Sequence, residues 1–210
     1  MTSKGHFIVI EGLEGAGKST ALHTIKRLLG DHVPEIITTR EPGGTRVGEV
    51  ARHLIKEPTP DEILDARAEL LLLYASRVQL VEQVIKPALA RGCWVIGDRF
   101  ELSTWAYQGG GRKLDREMIG HLSSFCLQNF KPDLTIFLDI SPELGLKRAL
   151  KRGKADRIEQ ESLNFFQNVY RSYHEQLKKM NNVAIIDASL PLPAVQNTIR
   201  QVLNAYLSAV

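Results

Sequence analysis

Residues Gly12-Leu13-Glu14-Gly15-Ala16-Gly17-Lys18-Ser19 match GxxxxGK[ST] at every defined position. They follow an apolar run, Phe7–Glu11, and precede a helical pattern that begins near Thr20. No other stretch restricts the fold as strongly. Such a loop works only between a strand and a helix, because the helix must present its positive N-terminal end to an anion. Glycines let successive backbone N–H groups curl around a polyphosphate without Cβ clashes. In this pattern Lys18 reaches the β- and γ-phosphates and the Ser19 hydroxyl ligates Mg2+. A chance glycine-rich turn is the competing reading, and the strand–loop–helix context argues against it. Residues Gly12 to Thr20 are therefore the expected cradle of a nucleoside triphosphate.

The rest of the chain agrees with that requirement. Five short apolar runs read as strands: Phe7–Glu11, Ile36–Thr39, Trp94–Asp98, Leu134–Asp139 and Val183–Asp187. Most are continuously apolar rather than alternating, as expected when helices cover both faces of a parallel sheet. Helix-period segments lie between them, which makes the class α/β. A length of 210 residues favours a single domain spanning 1–210. The longest helical segment is predicted from Thr59, with Pro60 at its first position and Glu62 completing a capping box. It should run to about Lys86, where Pro87 kinks or ends it. Glu69, Leu73 and Arg77 are spaced four apart and share one of its faces. Gly109-Gly110-Gly111 reads as a flexible break, and the basic piece from Lys147 to Arg157 as a mobile loop.

Composition narrows the function classes. With 43% apolar and 24% charged residues, the chain is neither disordered nor collagen-like. A net charge of +3 gives no sign of bulk nucleic-acid binding. Cys93 and Cys126 stand far apart, with no zinc-type cluster and no disulfide framework, which suits a reducing cytosol. Met1–His6 is too short and polar for a signal peptide. The densest apolar stretch, Leu70–Tyr74, is far below the roughly 20 residues needed to span a bilayer. A GTPase would carry NKxD and DxxG motifs, and the sequence contains neither.

Three further blocks join the phosphate loop: Thr39-Arg40-Glu41-Pro42-Gly43-Gly44-Thr45, then Asp98-Arg99-Phe100 with Ser103-Thr104 and Ala106-Tyr107-Gln108, then Asp156-Arg157-Ile158-Glu159. In this order and spacing the chain resembles the bacterial thymidylate kinases over essentially its whole length. The resemblance implies a P-loop nucleoside monophosphate kinase-like fold, with a five-stranded parallel sheet, helices on both faces and a mobile lid at about 147–158. It also implies ATP with Mg2+ as donor, dTMP as acceptor, a homodimer and a cytoplasmic location, with no nucleic-acid or membrane partner.

Roles follow residue by residue. The acceptor phosphate, with a second pKa of about 6, is largely a dianion at neutral pH, so no general base is required. The difficulty is to bring anion to anion, and positive charge must do that. The resemblance gives Arg99 the acceptor phosphate, Asp98 the Mg2+ through water, and Arg152 the γ-phosphate as a lid arginine. Many relatives carry an arginine inside the phosphate loop; this chain has Gly15 there, so the charge should come from the lid. Arg148 is expected near adenine, and Arg157 reads equally as a lid residue or a structural ion pair. Glu14, an acid in an anion-binding loop, needs a partner; the resemblance assigns it to the acceptor's 3′-hydroxyl region. Arg77 is expected on the thymine edge and Tyr107 beside the sugar. Ser103 and Thr104 are expected to hydrogen-bond the base, Gln108 is expected among the substrate-binding residues, and Arg52 near the phosphate. Leu73 replaces the phenylalanine that many relatives stack on thymine, removing roughly 0.5–1.5 kcal/mol of aromatic stacking. Two other readings remain: a kinase of the same fold for another nucleotide or nucleoside, and a non-catalytic ATP-binding module.

Overall fold

The computed structural model of the chain describes residues 4–57, 62–151 and 156–210. Strands β1 (Phe7–Gly12), β2 (Ile36–Arg40), β3 (Trp94–Asp98), β4 (Leu134–Asp139) and β5 (Val183–Asp187) form one sheet in the order β2-β3-β1-β4-β5. Every neighbouring pair is parallel. All five predicted strands are present, with β1 and β2 each one residue longer. Because the central strands β1, β3 and β4 are buried on both faces, alternate residues enter different cores. Phe7, Val9 and Val95 pack with Leu80, Val81, Ile85 and Ala88. Ile8, Ile10, Ile96 and Ile136 pack with Ile25, Leu29, Ile199 and Leu203. Central β1 delivers its C-terminal end to the middle of the sheet edge, where open α/β folds place ligands.

The helices are α1 (Lys18–Leu29), α2 (Arg46–Lys56), α3 (Ala66–Leu80), α4 (Lys86–Ala90), α5 (Glu101–Thr104), α6 (Arg116–Leu127), α7 (Pro142–Leu150), α8 (Leu163–Leu177) and α9 (Leu192–Leu207). π-helical turns at Val81–Ile85 and Trp105–Gly111 complete the described helical segments.

Three sequence expectations need correction. Helix α3 begins at Ala66, not Thr59. Asp65 is its N-cap, accepting the Arg67 backbone N–H at 2.8 Å, while Glu62 precedes the helix. Thr59 and Pro60 lie outside the described residues. An aspartate side chain accepts the orphan amides of a first turn as well as a threonine does, so the sequence held two start signals. Of the kink or end expected at Pro87, the end is excluded, because the helical segment continues past the proline to Ala90. The wide turn before it changes the hydrogen bonding, with Lys86 N–H donating to Val81 O, and this accommodates a residue that has no donor.

Gly109-Gly110-Gly111 is not a break. It is the end of the Trp105–Gly111 π turn, packed against α8. A Cβ on Gly110 would stand 2.5 Å from the Ser172 Cβ and 2.9 Å from Asn168 O. The glycines allow close helix approach rather than flexibility. Of the basic piece, Lys147–Leu150 belongs to α7, and 152–155 lie outside the described residues.

Gly110→Ala should therefore cost about 1–3 kcal/mol through overpacking. In thermal denaturation that appears as a fall in Tm of about 3–10 °C. An unchanged Tm would mean that the turn can move away from α8 freely.

Candidate active site

The loop between β1 and α1 folds back on its own lysine. Lys18 Nζ donates to Leu13 O at 2.8 Å and Gly12 O at 3.2 Å, with Glu14 Oε2 at 3.9 Å. Burial pushes the Lys18 pKa down to about 8, and the nearby charge of Arg99 adds to the effect. Ser19 and Thr20 stand exposed in the first turn of α1. Gly15 has φ +74°, and a Cβ there would overlap the carbonyl oxygen of Gly145 in α7. The loop and α7 therefore touch at two glycines, with no space for a side chain at position 15.

Opposite the loop, Arg99 follows the last residue of β3 in the left-handed region, φ +70°. A non-glycine residue held there costs about 1–3 kcal/mol, so its neighbours must impose it. They do so densely. Arg99 Nη1 donates to Gly12 O (3.0 Å), Ser103 Oγ (3.1 Å) and Tyr173 OH (3.2 Å). Nη2 donates to Glu14 Oε1 (2.5 Å) and Tyr107 OH (3.1 Å). The guanidinium also lies over the Tyr107 ring at 4.9 Å. Behind it, fully buried Glu11 accepts from Phe100 N (2.9 Å), Ser103 N (3.1 Å), Ser103 Oγ (2.6 Å) and Tyr173 OH (3.0 Å). Burial raises the Glu11 pKa, opposed by the charge of Arg99 and by these bonds. Glu14 thus has its partners, Arg99 and Lys18, which removes the electrostatic objection to an acid in this loop.

A third group surrounds Arg77, which is 1% exposed. Its Nε donates to Glu41 Oε2 at 2.7 Å, and Nη2 to Thr104 Oγ1 at 2.8 Å. The guanidinium lies 4.9 Å from the Tyr74 ring centroid and 5.5 Å from that of Phe100. Burial pushes Glu41 up to about 7 against the pull of Arg77. Among the described residues, three buried side-chain atoms lack a partner: Arg77 Nη1, Glu41 Oε1 and Asp98 Oδ1. All three residues line one cavity of about 400 Å3. Orphaned buried polar atoms are costly, so their convergence marks where a polar ligand would complete the site.

That cavity gathers most of the residues singled out in the sequence. Glu14, Gly15, Gly17, Lys18, Ser19, Thr20, Arg52, Leu73, Arg77, Asp98, Arg99, Ser103, Thr104, Tyr107, Gln108 and Arg148 all line it. Leu13 instead packs into the core, and Gly12 lies beneath the loop, where its carbonyl serves Lys18 and Arg99. Ala16 opens onto an adjoining cleft of about 160 Å3, and Gly17, Thr20 and Arg148 line both spaces. Arg148 is anchored there by Ala188 O at 2.7 Å. Arg152 lies outside the described residues. Arg157 is a structural ion pair: it bonds Glu69 and donates through Nε to Ile55 O at 2.7 Å.

Sequence reasoning missed Glu11, Glu41, Glu69 and Tyr173. Glu41 stands in the quoted Arg40-Glu41-Pro42 block and Glu69 on the Leu73/Arg77 face, so both carried a signal. Tyr173, 70 or more residues from its hydrogen-bond partners in the chain, carried none.

Comparison with known proteins agrees with this geometry. A family model described as "Thymidylate kinase" matches residues 10–199. The thymidylate kinases of Legionella pneumophila strains Corby and Paris are 59% and 58% identical over 203 residues, covering 97% of this chain and 96% of each relative. A phosphate loop, the Arg99 guanidinium and unpartnered polar atoms thus share one cavity in a chain that belongs to the thymidylate kinase family.

Proposed function

We propose that the chain transfers the γ-phosphoryl group of ATP to dTMP, giving dTDP and ADP. One observation carries the reading: Lys18 and Arg99 line a single cavity together with buried Arg77, whose Nη1 is unpartnered. The ATP phosphates would lie along the Gly12–Thr20 loop, with the adenosine end in the adjoining cleft beside Arg148. The dTMP phosphate would sit on Arg99 and Arg52, the sugar by Tyr107 and Glu14, and the base between Leu73, Arg77, Thr104 and Gln108. Arg99 reaches this role already oriented by Glu14, Tyr107 and Tyr173, so little reorganisation remains when the phosphate arrives. Since the acceptor is already anionic, catalysis here is positioning and charge neutralisation, with no proton to remove.

The residues fit Mg2+. Asp98 Oδ1 is buried and unpartnered, and the Ser19 hydroxyl is exposed in the first turn of α1. Mg2+ in such sites takes one or two protein oxygens and completes its shell with water and phosphate. When bound, it would neutralise charge on the β- and γ-phosphates.

Arg152, which lies outside the described residues, would serve the γ-phosphate as the lid arginine. Gly15 supports this: the contact with Gly145 leaves no place for an arginine in the loop itself. Exposed apolar side chains on three successively packed helices support a homodimer: Val50 and Leu54 on α2, Leu71 on α3, Met118 and Phe125 on α6. No helix among the described residues is long and apolar enough to cross a membrane.

A coupled ADP-release assay with MgATP against dTMP, dUMP, dCMP, dGMP, AMP and thymidine should give a dominant dTMP signal. ATP binding without turnover of any acceptor would sink the assignment. In that assay Arg152→Ala should lower kcat about tenfold or more while changing the dTMP KM far less, because the contact forms mainly in the transition state.

Nucleotide binding should also take up protons. With its pKa pushed down to about 8, Lys18 is partly uncharged in the free enzyme at pH 8, and a bound polyphosphate restores the charge with uptake of a fraction of a proton. The folded pKa lies below the ordinary lysine value, so the protonated lysine is disfavoured in the free protein and ATP affinity falls as pH rises through about 8. Calorimetry in buffers of different ionisation enthalpy measures the uptake, and none at pH 8 would show that Lys18 keeps its charge when unliganded. Light scattering should give twice the 23.5 kDa chain mass; a monomeric mass refutes the dimer.

A further inference from the structure

Glu69 is completely buried on α3, two helical turns before Arg77. Its Oε1 accepts from Gln108 Nε2 at 2.6 Å and from Arg112 Nε at 3.3 Å. Its Oε2 accepts from Arg112 Nη2 at 3.3 Å and from Arg157 Nη2. Every bond that the carboxylate makes is received from a donor. Arg77 Nη2 in turn donates to Thr104 Oγ1, so Glu69–Gln108 and Arg77–Thr104 form two rungs of opposite direction between α3 and the α5–π segment, with Leu73 between them.

This rung fixes the chemistry of Gln108. A glutamine amide offers either an oxygen or an NH2 group at a given place, and its neighbours decide which. A carboxylate at 2.6 Å requires the NH2 group, which leaves Oε1 to the cavity that Gln108 lines. The inference rests on the acceptor base lying in this slot, as proposed above. Thymine and uracil carry a donor, N3–H, on the edge where cytosine carries a lone pair. We propose that Glu69 is a specificity-determining positioning residue: it holds the Gln108 carbonyl oxygen toward the base, and so selects pyrimidines with N3–H and rejects cytosine. The device cannot distinguish dTMP from dUMP, which share that proton.

Glu69→Gln tests this with almost no change in shape. Arg112 and Arg157 claim the new amide oxygen, so the new NH2 turns toward Gln108. Gln108 then reverses and presents its own NH2 to the cavity. The kcat/KM ratio for dTMP over dCMP should fall by about tenfold or more, while the ratio for dTMP over dUMP stays within about threefold. Arg77 still offers a donor to a carbonyl oxygen, so the preference weakens without inverting. Equal losses for all three nucleotides, with both ratios preserved, would make Glu69 merely structural and overturn the inference. If the variant does not fold, Gln108→Leu serves instead. It should lower kcat/KM for dTMP and dUMP by about tenfold and leave dCMP unchanged, and unimpaired dTMP turnover would be fatal to the proposal. Wild-type enzyme that does not turn over dTMP would refute the functional assignment itself, a result separate from a preserved ratio in Glu69→Gln.

Discussion

The ion pair between Arg99 and Glu14 organises the site, because it holds a buried cation at the sheet edge before any anion arrives. A buried guanidinium without a counter-charge would cost several kcal/mol. Here Glu14 supplies the charge at 2.5 Å, while Gly12 O, Ser103, Tyr107 and Tyr173 receive the remaining bonds. Those partners come from β1, the phosphate loop, the α5–π segment and α8. Four separate elements are therefore locked together by one side chain. The left-handed backbone at Arg99 is tolerated because this network determines it from every side.

The same arrangement recurs around the cavity. Glu41 stands behind Arg77, Glu69 joins Arg112 and Arg157, and Glu49 pairs with Arg40. A pocket meant for two polyanions needs a surplus of positive charge, and that surplus would repel itself in the empty protein. Carboxylates paired with the guanidinia, Glu14 with Arg99 and Glu41 with Arg77, relieve the repulsion and fix the direction in which the remaining N–H groups point. Atoms such as Arg77 Nη1 are what remains after this accounting, and they mark the ligand's place.

Most of the fold was legible in the chain. All five strands were readable because a parallel sheet covered on both faces demands continuous apolar runs, and the phosphate loop was readable because its residues touch one ligand in one stretch. The start of α3 was misread because two capping signals compete within seven residues and only packing chooses between them. Gly109-Gly110-Gly111 was misread because a glycine run serves flexibility and close packing alike. The sequence does not show Ser172 and Phe165 waiting on the other side. Arg157, left open between lid and ion pair, was decided by Glu69, 88 residues away.

By itself the sequence determined which chemical groups are available: a lysine and a hydroxyl on a glycine loop, arginines at a strand end and on a helix face, and an aspartate beside them. Tertiary structure decided what those groups are bonded to when no substrate is present. That depends on distances between residues tens to hundreds of positions apart, such as Tyr173 OH and Glu11 Oε2 at 3.0 Å. It depends also on the π turn at Trp105–Gly111, which adds a residue to the helical repeat and so changes the face on which Gln108 emerges. Charge and hydrogen-bonding capacity are properties of a residue. Burial, pairing and orientation are properties of its surroundings, and only the folded chain supplies those.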